Sequence, residues 1–418
     1  MHLIILTQYY PPETGAPQNR LSDLARRLVE MGHRVSVLTA MPNYPAGHVF
    51  PEYRGKFYIR ETIDGVTVHR SWILATRSPR LLPRLASHLS FTATCLPVGM
   101  LHLSRADFVL TESPPIFLGV SGLLLARLKG ARFVVNIADL WVRAAAEVGI
   151  VKNRLLLGAA DRLERLLLLR ASLITVQTRG IGRDVSERVP KARVQLLTNG
   201  VDPDRFAPDR GRAELLRELG LQGHFVVGYG GIHGLAQALD SVVEAGIHLR
   251  DCPEIVMAFF GEGPLKADLQ AQVRREHLDN VRFFPLQAAE RMPGLVSRWG
   301  AGLVPLFDNV LGRSALPSKM FEIMASGVPV VLSAPEGEAS ALVQDARAGF
   351  VVEPENPRAL AEAVRQLHRD EGLRRQLGQN GRAYVSRHFD RRVIAHRFLE
   401  YLAKVDGSAG AAPDRVSG

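Results

Sequence analysis

One carboxylate stands inside an otherwise apolar helical segment towards the end of the chain. Glu322 follows Ser318 and Lys319, and Gly327 separates the segment from an apolar run at 328–332. Ser318 is predicted to cap the helix and Gly327 to end it, and the run is typical of a buried parallel strand. A carboxylate can accept hydrogen bonds from a ribose diol, and a lysine at a helix start attracts pyrophosphate. The segment indicates a nucleotide site, although an exposed Lys319–Glu322 pair is the ordinary interpretation of this spacing.

Glycine-rich loops follow two predicted strands in the same half of the chain. Gly230 and Gly231 follow the first of these strands, and Gly261 and Gly263 follow the second. Glycines let backbone N–H groups approach a phosphate, although at strand ends they are more often part of a tight turn. Because parallel strands bind ligands along their carboxyl edge, these loops are predicted to lie beside Glu322.

Short apolar runs alternate with helical patterns throughout the chain, which predicts parallel sheets covered by helices. The runs are 2–6, 34–39, 108–111, 132–137, 173–177 and 194–197, then 225–229, 255–260, 281–284, 302–305, 328–332 and 349–352. We therefore predict an α/β protein with two doubly wound Rossmann-like domains, at 1–198 and 199–386. A polar connector containing Pro203 and Pro208 follows the boundary, as expected of a hinge. Residues 407–418 are expected to be a disordered tail.

The composition narrows the class of partner. The chain has 418 residues, 46% of them hydrophobic, and a formal net charge of +10, which favours a nucleotide, a nucleic acid or a phospholipid surface. The basic residues are spread over many helices without an aromatic-interleaved patch, which argues against nucleic acid. Neither domain opens with the glycine fingerprint and acidic residue of a dinucleotide site, which argues against a dehydrogenase.

The cysteines and the first residues predict a cytoplasmic protein. Cys95 and Cys252 are too few and too far apart for a disulfide framework or a zinc site, and no signal-peptide pattern is present at the N-terminus. No His/Cys cluster or Asp-x-Asp element is present either, so we expect neither a metal nor another cofactor.

Residues 85–104 carry no Asp, Glu, Lys or Arg, and Arg77, Arg80, Arg84 and Arg105 flank them. Polar residues and a proline make this a poor membrane span. Two interpretations stay open, a helix lying on an anionic membrane surface and an ordinary core helix.

Two segments resemble signatures of the glycosyltransferases of family 4, which are retaining enzymes with the GT-B fold. Residues 199–208 are similar to the family's interdomain segment, and 322–331 are similar to its nucleotide-sugar segment. The resemblance covers nearly the whole chain. It implies that the two domains face each other across a cleft, that the second binds a UDP-sugar, and that a last helix at 389–405 completes the first.

The resemblance also implies roles for the donor side. Glu322 would hold the ribose, Lys319 and the Gly230–Gly231 backbone the pyrophosphate, and the backbone beside Phe284 and Leu286 the base. The sequence departs from the family at two places. Ser314 occupies the position of the first glutamate of the usual Glu-x7-Glu, and the Arg-x4-Lys that follows the glycine loop is absent, so His233 or Gln237 is expected to substitute.

In the first domain, many relatives have His-Asp where this chain has Ala138-Asp139. Asp139 or Glu13 is therefore expected to contact the acceptor hydroxyl, although capping of the next segment is an alternative for Asp139. The residues expected on the acceptor-side loop and its surroundings are Gly15, Ala16, Asn19, Arg20 and Trp141.

The chain is similar to the bacterial surface-polysaccharide branch of the family, especially fucosamine transferases. This implies transfer of a sugar from UDP to a lipid-linked polyprenyl pyrophosphate glycan, as in O-antigen or capsule synthesis. The candidate sugar is N-acetyl-L-fucosamine or another acetamidosugar. The implied location is the inner face of the plasma membrane. A sugar-nucleotide epimerase and a non-catalytic sugar-binding protein are the alternatives. Donor, acceptor, linkage and oligomeric state stay open.

Overall fold

The computed structural model describes residues 1–78, 80–143, 153–210, 213–234 and 237–407. The chain divides into two compact units. Unit 1 comprises Met1–Thr198 together with the chain from Ile394 onward, and unit 2 comprises Asn199–Val393. The expected disordered tail lies, from residue 408 on, outside the described residues.

Unit 1 is built on an eight-stranded sheet. Its strands are β1 (His2–Leu6), β2 (Arg34–Ala40), β3 (Tyr58–Ile63), β4 (Val66–Ser71), β5 (Phe108–Ser113), β6 (Arg132–Ile137), β7 (Leu173–Val176) and β8 (Val194–Leu196), in the order β3-β4-β2-β1-β5-β6-β7-β8. Its helices are α1 (Ala16–Glu30), α2 (Leu81–His102), α3 (Leu118–Lys129), α4 (Arg154–Arg170) and α5 (Arg179–Arg188). Ile4 and Leu6 pack in one core cluster and Leu3 and Ile5 in another, so β1 is buried on both faces.

Unit 2 contains six parallel strands. They are β9 (Phe225–Gly230), β10 (Ile255–Phe260), β11 (Val281–Phe284), β12 (Ala301–Pro305), β13 (Val330–Ser333) and β14 (Gly349–Val352), in the order β11-β10-β9-β12-β13-β14. The helices are α6 (Ala213–Glu218), α7 (Leu239–His248), α8 (Lys266–Arg275), α9 (Met292–Val296), α10 (Val310–Ser314), α11 (Ser318–Ala325), α12 (Glu338–Asp345), α13 (Pro357–Arg369) and α14 (Glu371–His388). The strand order reverses beside β9, which is where open α/β sheets bind ligands. Both units are doubly wound α/β domains, as predicted.

The final helix, α15 (Arg391–Gly407), returns to unit 1. Phe398 and Leu402 pack in the core cluster that also holds Leu21 and Leu24 of α1. Helices therefore cover both faces of the unit 1 sheet, with α2 and α3 on the opposite side.

An antiparallel hairpin at the edge of unit 1 was not predicted. β3 pairs with β4 in antiparallel register through a turn at Asp64 and Gly65, whose φ angles are 49° and 78°. Two successive positive φ values are the geometry of a type I′ turn, for which Asp-Gly is the common sequence signal. The Asp64-Gly65 dipeptide was therefore a sequence signal from which the hairpin could have been predicted.

Helix α2, which contains the uncharged segment, has one buried face and one exposed face. Ser87, Phe91, Cys95 and Gly99, spaced four residues apart, form its buried face. Its other side exposes large apolar residues, which are Leu82, Leu89, Met100 and Leu101. Within the described ranges no helix is both long and apolar enough to cross a membrane.

Candidate functional site

The two glycine loops of unit 2 lie against each other at the carboxyl edge of the sheet. Gly231 N donates to Phe260 O at 3.0 Å. A Cβ on Gly261 would lie 1.9 Å from Gly231 O, and Gly261 has a φ of 154°. A Cβ on Gly263 would lie 2.3 Å from His233 O. Any larger residue at either position would force the backbones of the loops apart.

Lys266, at the start of α8, joins the ends of two strands. Its Nζ donates to Gly261 O at 3.0 Å, to Phe284 O at 3.3 Å and to Glu262 Oε1 at 2.6 Å. Sequence analysis did not identify this lysine. Its spacing of four residues from Glu262 was the only local signal.

Phe284, which ends β11, and Leu286, which follows the strand, were predicted beside the base and lie at the same edge. The Phe284 ring stacks on Phe260 with centroids 4.9 Å apart, whereas Leu286 is 61% exposed. The aromatic pair fixes the loop, and the exposed leucine leaves apolar surface beside it.

Lys319, on the first turn of α11, reaches the first glycine loop. Its Nζ lies 3.9 Å from the centroid of the Tyr229 ring, and a Cβ on Gly231 would lie 2.9 Å from Nζ. Burial lowers the pKa of the Lys319 ammonium to about 7, although the negative charge of Glu322 acts to raise it. The predicted neighbours Lys319 and Gly231 are thus brought together.

Glu322 lies one turn further along α11 and is half-buried. Burial raises the pKa of its carboxyl, while the charges of Arg391, Arg205 and Lys319 act to lower it. In the described part of the chain its carboxylate accepts no hydrogen bond and forms no ion pair, so the alternative of a Lys319–Glu322 pair is not found. This carboxylate has acceptor capacity available for a ligand.

The start of α11 differs from the prediction. Pro317 occupies the N-cap and Ser318 is already the first helical residue, so the serine hydroxyl makes no capping hydrogen bond. The predicted cap at Ser318 is wrong. Asn199 Nδ2 donates to Leu316 O at 3.0 Å and so ties the connector to the residue before Pro317. Two motifs distant in sequence thereby meet at this helix start, whose first N–H groups carry no side-chain cap.

The other end of α11 agrees better with expectation. Gly327 has a φ of 70° just beyond the helix, as predicted for the residue that ends it. The following strand begins at Val330 rather than at residue 328, because Pro329 has no N–H with which to extend the ladder.

His233, one of the two residues expected to substitute for the absent Arg-x4-Lys, is an uncharged and internal residue. The residue is fully buried, and its ring lies against Tyr229, Phe259 and Phe283. Burial lowers the pKa of the imidazole to about 4, and the charge of Lys266 lowers it further, so His233 is neutral near pH 7. Gln237 is half-buried beside this loop, and the two residues before it lie outside the described ranges.

Ser314 ends the short helix α10, where its Oγ donates to Val310 O at 2.9 Å. Asn309 caps this helix by accepting from Gly312 N at 2.8 Å. A neutral hydroxyl group therefore stands where the first glutamate of the usual Glu-x7-Glu would place a negative charge.

In unit 1, Glu13 fixes two loops. Its Oε1 accepts from the backbone N–H groups of Asn43 and Tyr44, each at 2.8 Å, and its Oε2 accepts from Tyr10 N at 3.1 Å. Glu13 is 2% exposed, and burial raises the pKa of its carboxyl to about 7, although these three N–H donors act to lower it. The geometry favours loop positioning over the expected contact with an acceptor hydroxyl.

Arg20 is also internal rather than open to a ligand. It forms a buried ion pair with Glu112 at the end of β5, and Glu112 Oε2 accepts from Asn136 Nδ2 at 2.7 Å. Burial raises the pKa of the Glu112 carboxyl. Sequence analysis missed Glu112 because its partner lies on α1, far away in the chain.

Asp139 follows β6 beside this network. Its pKa is raised to about 6, first by desolvation and then by the negative charge of Glu112, while Arg20 acts in the opposite direction. The residue as a whole is exposed, so the carboxylate is accessible although it is desolvated. An exposed carboxylate with a raised pKa is suited to accept a proton near neutral pH.

The remaining acceptor-side residues lie around the same strand ends. Gly15 is the N-cap of α1 and its carbonyl accepts from Asn19 N at 3.0 Å; Ala16 and Asn19 are exposed. Trp141 follows Asp139 closely and is half-buried.

Comparison with known proteins gives the family. The model of the glycosyl transferase 4-like domain matches residues 15–200, and that of the glycosyl transferases group 1 matches residues 226–384. The chain belongs to glycosyltransferase family 4. It is 28% identical over 409 residues to the putative colanic acid biosynthesis glycosyl transferase WcaI of Escherichia coli K12, an alignment that covers 96% of this chain and 99% of that protein.

Solved structures show that this glycosyltransferase has the GT-B fold, as predicted. Sucrose-phosphate synthase of Thermosynechococcus elongatus superposes with a TM-score of 0.75 at 18% identity, covering 97% of this chain and 99% of the other. HepE of Anabaena, solved with UDP and glucose, superposes with a TM-score of 0.73 at 17% identity, covering 97% and 100%.

Potential metal ligands do not cluster in the part of this glycosyltransferase that the structure describes. Among the described residues no three His, Cys, Asp or Glu side chains gather closely enough to hold a metal ion. The cationic groups beside the glycine loops are lysines, Lys319 and Lys266.

Proposed function

We propose that the chain is a retaining, metal-independent glycosyltransferase that moves a sugar from UDP to a lipid-linked glycan in the synthesis of a bacterial surface polysaccharide. The observation that carries the proposal is Glu322, whose half-buried carboxylate has no partner in the described structure and stands one turn from Lys319 and the open start of α11. Together these groups match the hydroxyls of a ribose and the charge of a pyrophosphate.

UDP is the nucleotide we propose because it is the nucleotide bound in HepE. In the proposed complex, Glu322 accepts hydrogen bonds from the ribose, and the backbone of Gly230 and Gly231 donates to the diphosphate. Lys319 stabilises the charge that grows on the leaving diphosphate as the glycosidic bond breaks. The backbone near Phe284 and Leu286 contacts the base. The glycosyl group is a hexosyl or acetamidosugar group, with N-acetyl-L-fucosamine as the first candidate.

On unit 1, we assign Asp139 to the acceptor hydroxyl. Its raised pKa strengthens it as a proton acceptor, and its exposure leaves it accessible to a substrate. Glu13 then acts indirectly, since its carboxylate is engaged by backbone groups of two loops.

An anionic membrane surface is the proposed location, on the cytoplasmic side. Helix α3 contacts both α2 and α4, and all three helices expose leucines, including Leu128 on α3 and Leu155 on α4. Basic residues such as Arg127 and Arg165 accompany them. Apolar side chains bordered by arginines suit a surface of anionic lipid.

The function is tested by screening UDP-sugars for UDP release with and without a lipid-pyrophosphate glycan acceptor. We expect release that requires the acceptor and a product that keeps the anomeric configuration of the donor. Conversion of a UDP-sugar without acceptor would support an epimerase, and binding without turnover would support a sugar-binding protein. Either result would overturn the proposal.

Metal independence has its own test. Because lysines and the uncapped helix start are proposed to stabilise the diphosphate, activity should persist in EDTA. Loss of activity that Mn²⁺ restores would contradict this part of the proposal.

A further inference from the structure

Two adjoining cavities lie in unit 1 at the carboxyl ends of its strands. Their volumes are about 310 and 190 Å³, and both are lined by Tyr9, Arg84 and His88. Tyr9 follows β1, and Trp141, which lines the smaller cavity, follows β6. The two cavities therefore lie at the edge of the sheet where α/β proteins hold ligands. Their combined volume falls in the range of small-molecule sites.

The larger cavity is cationic. Arg77 is held in place, since its Nε donates to Ala46 O at 3.1 Å and its Nη2 lies 2.8 Å from His48 Nδ1. The guanidinium of Arg84 has no hydrogen bond or ion pair to any described residue, and its charge acts on Tyr9 and His88. Among the described residues that line the two cavities there is no Asp or Glu. An anion that entered would therefore meet two guanidinium groups and no carboxylate on the described part of the walls.

His88, at the junction of the cavities, presents a hydrogen-bond acceptor. Gln8 Nε2 donates to the Tyr9 hydroxyl at 3.2 Å, which directs Gln8 Oε1 to His88 Nδ1 at 2.7 Å. Nδ1 therefore carries the hydrogen, and Nε2 has a lone pair without a described partner. Burial lowers the pKa of His88 to about 4, so the ring is neutral at physiological pH. A neutral Nε2 can accept a hydrogen bond from a sugar hydroxyl.

The smaller cavity is mainly apolar. Leu85 of α2, Ile116 and Phe117 after β5, and Trp141 after β6 supply its walls. Such walls suit the apolar face of a sugar ring or the first carbons of a lipid chain.

We propose that the two cavities form one binding site for a phosphorylated glycoside. Arg84 and Arg77 bind its phosphoryl group, His88 Nε2 accepts a hydrogen bond from a sugar hydroxyl, and the apolar walls pack against the ring or chain. The inference rests on the proposed glycosyl transfer, for which this ligand is the acceptor, and it adds the residues that recognise the phosphoryl group and the sugar.

The test is calorimetric titration, without donor or vesicles, with N-acetylglucosaminyl pyrophosphoryl-citronellol as the probe. Octyl N-acetylglucosaminide is the uncharged comparison. We expect the pyrophosphoryl probe to bind at least tenfold more tightly, and Arg84→Gln to remove most of that difference. Arg80→Gln is the matched control, because Arg80 is exposed just before α2 and lines neither cavity.

His88 is tested by two substitutions. His88→Gln keeps an amide oxygen able to accept near the position of Nε2, whereas His88→Phe removes the acceptor and keeps ring volume. We expect the phenylalanine variant to lose severalfold more affinity for the probe than the glutamine variant, with unchanged circular dichroism. Equal losses would contradict the hydroxyl contact.

Two outcomes would overturn the site itself. One is equal probe affinity for Arg84→Gln and Arg80→Gln. The other is a probe affinity that Arg84→Gln leaves unaltered while the binding of this variant to phosphatidylglycerol vesicles falls, which would assign Arg84 to lipid headgroups. UDP titration and acceptor-dependent UDP release on the same preparations separate the two proposals. If UDP binding and UDP release both persist, only the site inferred here fails. If UDP binding and UDP release are both absent, the proposed function fails.

Discussion

Lys319 and Glu322 lie one turn apart on α11, and burial disfavours the charged form of both. The pKa of Lys319 is lowered to about 7 and that of Glu322 is raised. Among the described residues neither side chain has a hydrogen-bond partner that compensates for the lost water, although the Tyr229 ring lies under the lysine. Groups desolvated without a protein partner are commonly those that a ligand engages.

A pH prediction follows from Lys319. In the free protein the ammonium loses its charge as pH rises through about 7, and a bound diphosphate favours the charged form, so binding above this pH requires proton uptake. We expect UDP affinity of the wild type to fall, relative to Lys319→Arg, as pH rises from about 6 to about 9, by at most about tenfold per pH unit. Calorimetry across this range measures the ratio.

The arginine variant is the control, because its guanidinium stays charged throughout and because ionisation of the UDP phosphate affects both proteins equally. A constant ratio of the two affinities would show that Lys319 does not titrate against the diphosphate.

At the scale of elements, the glycine loops set the geometry of the unit 2 edge. The loop after β9 can contact the loop after β10 only because Gly261 carries no Cβ, and Lys266 then holds the second loop against the end of β11. Gly231, which accepts this close packing, is also the residue that the Lys319 side chain reaches.

We expect Gly261→Ala to destabilise unit 2 more than Gly223→Ala does. Both glycines have positive φ, so each alanine adds roughly 1–2 kcal/mol of backbone strain, but only at Gly261 would the Cβ meet a backbone oxygen, 1.9 Å away. Overpacking of this kind costs about 1–3 kcal/mol more. Urea unfolding gives the difference, and equal midpoints would show that the loops separate without cost.

Elements whose signal is local could be predicted from the sequence. The periodic apolar runs gave both sheets, and Gly327 gave the end of α11, because periodicity and a left-handed glycine act within a few residues. The capping of α11 by Ser318 was wrong because Pro317 sets the helix start. The Glu112–Arg20 pair and the pocket at Arg84 and His88 could not be predicted, because their partners come from separate strands and helices.

The molecule as a whole is asymmetric in its exposed apolar residues. Leu82 is 78% exposed, Leu101 79% and Leu155 85%, all in unit 1, whereas the described large apolar residues exposed in unit 2 are Ile232 and Leu286, beside the glycine loops and the end of β11. The chain as a whole carries a formal net charge of +10. The combination supports the proposed attachment of unit 1 to anionic lipid.

Exchange of Leu82, Leu89 and Leu101 for glutamine should reduce binding to anionic vesicles at least tenfold, since a buried leucine side chain contributes roughly 1.5–3 kcal/mol. Arg80→Glu with Arg105→Glu should weaken it further and reduce its dependence on salt, at about 1 kcal/mol for each basic residue lost. Vesicle sedimentation measures both, with Leu286→Gln as the control for vesicle binding. Unchanged sedimentation of both sets would remove the membrane from the proposal.

The central claim is that unit 2 binds a nucleoside diphosphate through Glu322, and calorimetric titration of UDP into the wild type and Glu322→Ala tests it most directly. Loss of a charge-assisted contact to the ribose should cost on the order of 1.5–3 kcal/mol, about a 10- to 150-fold weaker affinity, with an unchanged unfolding midpoint. Glu244→Ala, at an exposed position of α7, is the matched control for loss of a carboxylate. UDP affinity of folded Glu322→Ala equal to that of the wild type would contradict the account.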